Sequence, residues 1–270
     1  MKFFQTSIGP ARPPGPAVVE TLVVRVRAAP ARLLLLDYDG TLVPFVENPA
    51  LARPDDELLA LLHSLASSVG TEVHVVSGRT RGALEGWLGA LPIGLHAEHG
   101  LASRAPGTSA WVTRELPPSD WRPSVLGCMR RFTAWTPGAL VEEKDAGLAW
   151  HYRAAEPALG DARARALELE LASLLAGAPV SILLGAKVIE VLPRVVHKGS
   201  LVPALAAAAP PGALLVAIGD DRTDEDLFAA LPVDGLAIHV GPGPTRAPIR
   251  LNGVADVRAL LRDVADRPAG

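Results

Sequence analysis

The chain has 270 residues, enough for one large domain or two of ordinary size. With 49% apolar and 20% charged residues and a formal charge of −3, it reads as a globular protein with a substantial core, and the charge argues against broad binding to nucleic acid or an anionic membrane. Cys128 is the only cysteine, so no intrachain disulfide can form, and no apolar run is long enough to span a bilayer; a cytoplasmic location is expected.

Residues 1–19 carry a Pro/Gly-rich stretch over 9–16 and no apolar run of signal-peptide length, so they are expected to form a flexible lead-in. RLLLLD (32–37) is a continuous apolar run ending at a turn signal, the mark of a strand covered on both faces. PDDELLALLHSLASS (54–68) has acids in its first turn and leucines at helical spacing, which predicts a helix. EVHVVSG (72–78) predicts a second strand, TRGALEGWLG (80–89) a short helix capped by Thr80, and IGLHAEHG (93–100) a third strand. This β-α-β-α-β order makes a parallel sheet the natural outcome.

The pattern changes between 108 and 192. AWVTREL reads as a strand or loop and SDWRPSVLGCMRRFTAW as a helix. ALVEEKDAGLAWHYR is a strand pair turning at Asp145-Ala146-Gly147, and ALGDARARALELELASLLAG is a long helix. VSILLGAKVIEVLP is a second strand pair turning near Gly185-Ala186. A four-stranded sheet with two helices on one face is expected, a separate α+β unit. After Pro193 the first pattern returns: a helix in HKGSLVPALAAAA, a buried strand in ALLVAIGD (213–220), a helix in TDEDLFAAL, a strand in GLAIHVG (235–241) and a closing helix in VADVRALLRDVAD. The expected fold class is α/β, a doubly wound parallel-sheet core (20–107 and 193–270) interrupted by an inserted α+β cap (108–192).

Three core strands end in polar groups: Asp37 and Asp39, Ser77, and Asp220-Asp221. In an open parallel sheet, ligands bind outside the carboxyl ends of the strands, so these sets converge on one edge. Lys198 opens the helix before the Asp220 strand and can reach the same place. Asp37, Asp39, Asp220, Asp221 and Asp224 cannot all be ionised in one crevice without a counter-charge, and a hard divalent cation such as Mg²⁺ supplies it. Lys198, the backbone N–H groups of the Asp37–Thr41 turn, and the Thr41 and Ser77 hydroxyls are donors for phosphate oxygens. Only four of the 26 basic residues are lysine, which singles out Lys144, Lys187 and Lys198 as places where a compact ammonium is wanted.

The set DYDGTL, VVSGR, HKGSL and GDDRTDEDLF, in that order, resembles the phosphatases of the haloacid dehalogenase superfamily. The resemblance implies that Asp37 is a nucleophile forming an aspartyl-phosphate, and that Asp39 protonates the leaving oxygen and later activates water. It implies a metal held by the Asp37 carboxylate, the Asp39 backbone carbonyl and Asp220, with Asp221 and Asp224 adjoining. Ser77 with Gly78, Thr41 and Lys198 would hold the phosphoryl oxygens.

From about residue 30 to 262 the chain is similar to the trehalose-6-phosphate phosphatases, on GLHAEHG, VEEKDAGLAWHYR and KVIEVLPRVVHKG beside the motifs above. That implies hydrolysis of trehalose 6-phosphate and a functional link to trehalose-6-phosphate synthase. It carries sugar binding onto Lys144, Lys187 and Glu190, with Glu143 and Arg153 beside them, while Glu98 and His99 are expected to be structural or at the rim. In an ideal strand Lys187 and Glu190 would face opposite sides. Three other readings compete: a phosphatase for another sugar phosphate or a phosphoglycerate, a non-catalytic sugar-phosphate sensor, and a phosphomutase.

Overall fold

The computed structural model describes residues 16–46 and 51–265. The core is built on one eight-stranded sheet. Its central strand β1 (Arg32–Leu36) is flanked in parallel by β2 (Thr71–Val76) and then β3 (Gly94–Ala97) on one side. On the other side lie β10 (Leu214–Gly219), β11 (Leu236–Val240) and β12 (Ile249–Leu251), all parallel. Two antiparallel strands, β4 (Ala102–Arg104) and β5 (Trp111–Thr113), extend the β3 edge.

The unbroken leucine run of β1 is buried because both faces of the sheet are covered. Leu34 and Leu36 pack with residues of α1 (Pro16–Ala28), α2 (Asp56–Ser67) and α8 (Val254–Ala265). Leu33 and Leu35 pack with the short α6 (Val202–Ala208) and with α7 (Arg222–Ala230). Thr80 caps α3 (Arg81–Leu88) through Ala83 N–H, as its position predicts, and Asp55 caps α2 through Leu58 N–H.

The second sheet is antiparallel, in the order β6 (Leu140–Glu143), β7 (Leu148–His151), β9 (Val188–Pro193), β8 (Val180–Gly185). Two helices, α4 (Arg122–Ala134) and α5 (Pro157–Leu174), cover one face. Trp150, wholly buried, centres that packing, with Leu148, Ile189 and Val191 beside it. The opposite face, free of helices, turns to the carboxyl edge of the core sheet.

Two expected boundaries shift. Trp111–Thr113 pairs with β4 and belongs to the core sheet, so the inserted unit begins beyond residue 113 rather than at 108. The segment expected to be flexible through residue 19 is helical from Pro16, because α1 lays Leu22, Val23 and Val26 into the core; residues 1–15 lie outside the described residues. No helix among the described residues is long and apolar enough to cross a membrane.

Candidate active site

The site starts at the tip of β1. Asp37 N–H still donates to Ile218 of β10 (2.9 Å), so the carboxylate is fixed as the chain leaves the sheet. Asp37 is buried, and Lys198 Nζ donates to its Oδ1 at 2.6 Å and to Asp224 Oδ1 at 2.8 Å. Lys198 comes from a 3₁₀ turn (Lys198–Leu201) held close to α7: a Cβ at Gly199 would come within 2.2 Å of the Asp226 carbonyl. Gly40, at φ +84°, turns the chain back, and a Cβ there would lie 2.2 Å from Asp220 Oδ2. That glycine is needed twice over, for the left-handed turn and for the space that Asp220 occupies.

Asp37, Asp220 and Asp224 each present an oxygen within 4.8 Å of the others, a trio of hard donors suited to a divalent cation. Burial, and then each other's charge, drives the carboxyls up: Asp37 to about 6 despite Lys198, and Asp220 to about 9. Burial works against the Lys198 ammonium, yet Asp224 and Asp37 outweigh it and hold the charge firmly. One ammonium among three carboxylates leaves a negative excess, the electrostatic mark of a cation site. Asp224 is braced from behind, since its Oδ2 accepts the backbone N–H groups of Asp220 and Asp221, both at 3.1 Å.

Ser77 and Gly78 leave β2 beside Asp37. Both border a cavity of about 570 Å³ whose floor includes Asp37, Asp39, Lys198 and Asp220. The Asp39 carboxylate is gripped by the Arg79 guanidinium through two bonds of 2.7 and 2.5 Å. Arg79 also lies over Trp87, 5.1 Å from the ring centroid. The roof is the free face of the cap sheet. Strand alternation places Glu142, Lys144, His151 and Glu190 on it. Glu142 Oε2 pairs with His151 Nε2 (2.8 Å), and Lys144 Nζ with Glu190 Oε1 (2.8 Å). Burial would raise the Glu190 carboxyl, but Lys144 and His99 beside it prevail and hold it far below the usual range. Phe45, Trp87 and Leu140 supply apolar wall.

The trehalose-phosphatase family model matches residues 35–253, which takes in every site residue just described. The chain belongs to the trehalose-phosphatase family. A bifunctional trehalose-6-phosphate synthase/phosphatase from Thermoproteus tenax is 45% identical over 87% of this chain, and the match spans 32% of that protein. The chain is thus about a third of the length of that curated relative. The C-terminal domain of trehalose-6-phosphate phosphatase from C. albicans, 31% identical, superposes with a TM-score of 0.88 over 95% of this chain and 99% of that one. A haloacid dehalogenase-like hydrolase from Bacteroides thetaiotaomicron shares the fold at 14% identity, with a TM-score of 0.61 over 86% of this chain and 99% of that one.

Within this family framework the expected residues fall into two groups. Asp37, Asp39, Ser77, Gly78, Lys198 and Asp220 meet around one cavity, joined from the cap by Lys144, Glu190 and Arg153. Four others sit differently. Asp221 also borders the cavity, but it is the N-cap of α7, accepting from Arg222 N–H, and of the two acids expected to adjoin the metal it is Asp224 that joins Asp37 and Asp220 in the acidic trio. Thr41 is wholly buried and off the cavity, its hydroxyl 3.4 Å from Asp220 Oδ1. Glu143 follows Glu142 in β6 and therefore projects to the helix side, where it pairs with Arg130. Lys187 occupies the β8–β9 turn at φ +62° and pairs with Asp161 of α5 at 2.5 Å, away from the roof. Arg79 was not among the expected site residues, while Glu142 and His151, which adjacent cap strands are expected to bring within reach of the surface carrying Lys144 and Glu190, were given no role in the site. Alternation about Lys144 is the signal that finds Glu142; the Arg79–Asp39 pair spans 40 positions and leaves no local trace.

Proposed function

We propose that this protein hydrolyses trehalose 6-phosphate to trehalose and inorganic phosphate, with Asp37 as the attacking group. The observation that carries the reading is the single cavity that joins the Asp37–Lys198 pair on its floor to the Glu142, Lys144, His151 and Glu190 roof. A phosphoryl group fits below and a polyhydroxylated leaving group above. Two carboxylates, an ammonium and an imidazole can orient several sugar hydroxyls, and the apolar wall covers ring faces.

Asp37 Oδ attacks phosphorus in line with the ester bond; an aspartyl-phosphate forms and the bond to the sugar O6 breaks. Lys198, already on Asp37 Oδ1, offsets charge on the transferring group, and the Ser77 hydroxyl with the loop backbone orients its oxygens. Asp39, protonated once it leaves Arg79, gives that proton to O6 and later takes one back from the water that opens the acyl phosphate. The cap excludes bulk water from these steps. Asp37 and Asp220, backed by Asp224, would hold Mg²⁺, which when bound offsets the carboxylate excess and polarises a phosphoryl oxygen. Asp39 would contribute only its backbone carbonyl, since its side chain is needed for proton transfer. The fused synthase in the Thermoproteus relative supports a functional link to the reaction that makes the phosphorylated disaccharide.

Phosphate release from trehalose 6-phosphate, measured with Mg²⁺ and again with a chelator, tests the reading. Release should fall to background with chelator and return with Mg²⁺. Undiminished release in chelator would remove the metal from the account. In the cap, Glu142→Gln should raise KM for trehalose 6-phosphate about tenfold through loss of a charged hydrogen-bonding group, while Glu143→Gln, on the helix side, should change it less than about twofold. Initial rates for the two variants side by side check this, and equal effects would contradict the assigned strand faces.

A further inference from the structure

The short turn Glu98–Gly100 follows β3 and carries two features that the mechanism above leaves unused. Glu98 has φ +46° and His99 φ +57°, both in the left-handed region that side chains other than glycine avoid. Both side chains are also buried, Glu98 at 3% exposure and His99 at 5%. A strained pair of buried polar residues needs a reason that glycine could not meet.

Their partners give the reason. Through its backbone the turn is bound to the phosphate loop: Glu98 N–H donates to Arg79 O and His99 N–H to Ser77 O, each at 2.9 Å. Through its side chains it is bound to the cap. The Glu98 carboxylate accepts the N–H groups of Ala146 (2.6 Å) and Asp145 (3.3 Å) at the tip of the β6–β7 hairpin. The His99 ring lies against Gly78, where a Cβ would come within 2.9 Å of it, and its Nε2 meets Glu190 Oε2 at 3.0 Å. Lys144 closes the circuit from Glu190 Oε1 to the Gly78 carbonyl at 3.0 Å.

We infer that the Glu98–His99 turn is the socket that seats the cap, so that Glu98 and His99 are positioning residues that place Lys144 and Glu190 over the phosphate loop. Seating is concerted, because β7 is paired with β9 and lifting the cap sheet breaks the Glu98, His99 and Lys144 contacts across the seam together. Left unmade, these groups would be buried polar atoms without partners, so a half-seated cap is disfavoured. The strained backbone is what points both side chains at the cap while their amides hold the loop.

The inference rests on the phosphatase reading for its effect on turnover, but not for its structural content. The test uses the whole chain with Glu98→Gly, which suits the positive φ and removes the carboxylate, and Glu98→Gln, which keeps the volume. Amide exchange is followed at Asp145 and Ala146, and initial rates are measured with Mg²⁺ for trehalose 6-phosphate and for p-nitrophenyl phosphate, an ester with no sugar for the cap to hold. Both variants should speed exchange at the hairpin tip at least about tenfold, with Ser77 and Gly78 unchanged. Both should lower kcat/KM for trehalose 6-phosphate about tenfold or more, and leave p-nitrophenyl phosphate within about twofold. Unchanged exchange at the tip overturns the socket, as does an equal loss on both esters. If the unsubstituted protein cleaves only the small ester, the substrate reading fails while the exchange result still decides the socket.

Discussion

Asp37→Asn should retain the fold, bind trehalose 6-phosphate and release no phosphate. The amide matches the carboxylate in shape but cannot attack phosphorus, so kcat should drop by on the order of four decades or more, as when other enzymes lose their nucleophile. The same change removes one charge from a trio that burial and mutual repulsion already strain: Asp37 is pushed up to about 6 and Asp220 to about 9. In chelator the variant should therefore melt no lower than the parent protein. Rapid assays of phosphate and thermal melts on one preparation check both halves. Turnover near the parent value would dismiss Asp37 as the attacking group, and a large fall in melting temperature would recast it as structural.

Lys198→Met should have the second largest effect, on stability as well as turnover. Lys198 is 2% exposed and its ammonium lies between Asp37 and Asp224, so its removal strands two buried carboxylates at a cost of about 3–5 kcal/mol. Mg²⁺ should recover part of that loss. The parent protein shows the same electrostatics through pH. Asp37 and Asp220 bind protons more tightly folded than at the ordinary aspartate value of 3.8. Their contribution to stability is whole below about pH 4 and is lost as pH rises through about 6 and then about 9. With chelator, the site's contribution should lower the melting temperature from pH 5 to 9, and Mg²⁺ should flatten the slope. A metal-free melting temperature that climbs across that range, or a Lys198→Met protein as stable as the parent in chelator, would contradict the charge distribution described here.

Much of the cavity floor could be read from the chain because it lies on strand tips. RLLLLD is apolar throughout since both sheet faces are covered, and the parallel order then sends Asp37, Ser77 and Asp220 to one edge. Elements with weak periodicity were harder to read: β4, β5 and β12 have three residues each and take their structure from neighbouring strands. The roof was legible in part. Glu143 and Lys187 have the right chemistry on the right strand pairs, but alternation turns Glu143 to the helices and the left-handed turn residue Lys187 to Asp161. Asp221 and Asp224 look alike in GDDRTDED. Only the capping box of α7, which spends Asp221 on the helix end and turns Asp224 back beneath Asp220, separates them. The Glu98–His99 turn reads as a rim feature in sequence because its partners lie 47 and 91 positions away.

The central claim is that one cavity joins phosphoryl chemistry to recognition of a phosphorylated disaccharide. Its most direct test is kcat/KM for trehalose 6-phosphate, glucose 6-phosphate and a phosphoglycerate, measured side by side with Mg²⁺. A roof that orients both rings predicts that trehalose 6-phosphate leads by at least about two decades, since groups built to bond sugar hydroxyls discriminate strongly against esters that lack them. A monosaccharide phosphate or phosphoglycerate cleaved as well or better would contradict it.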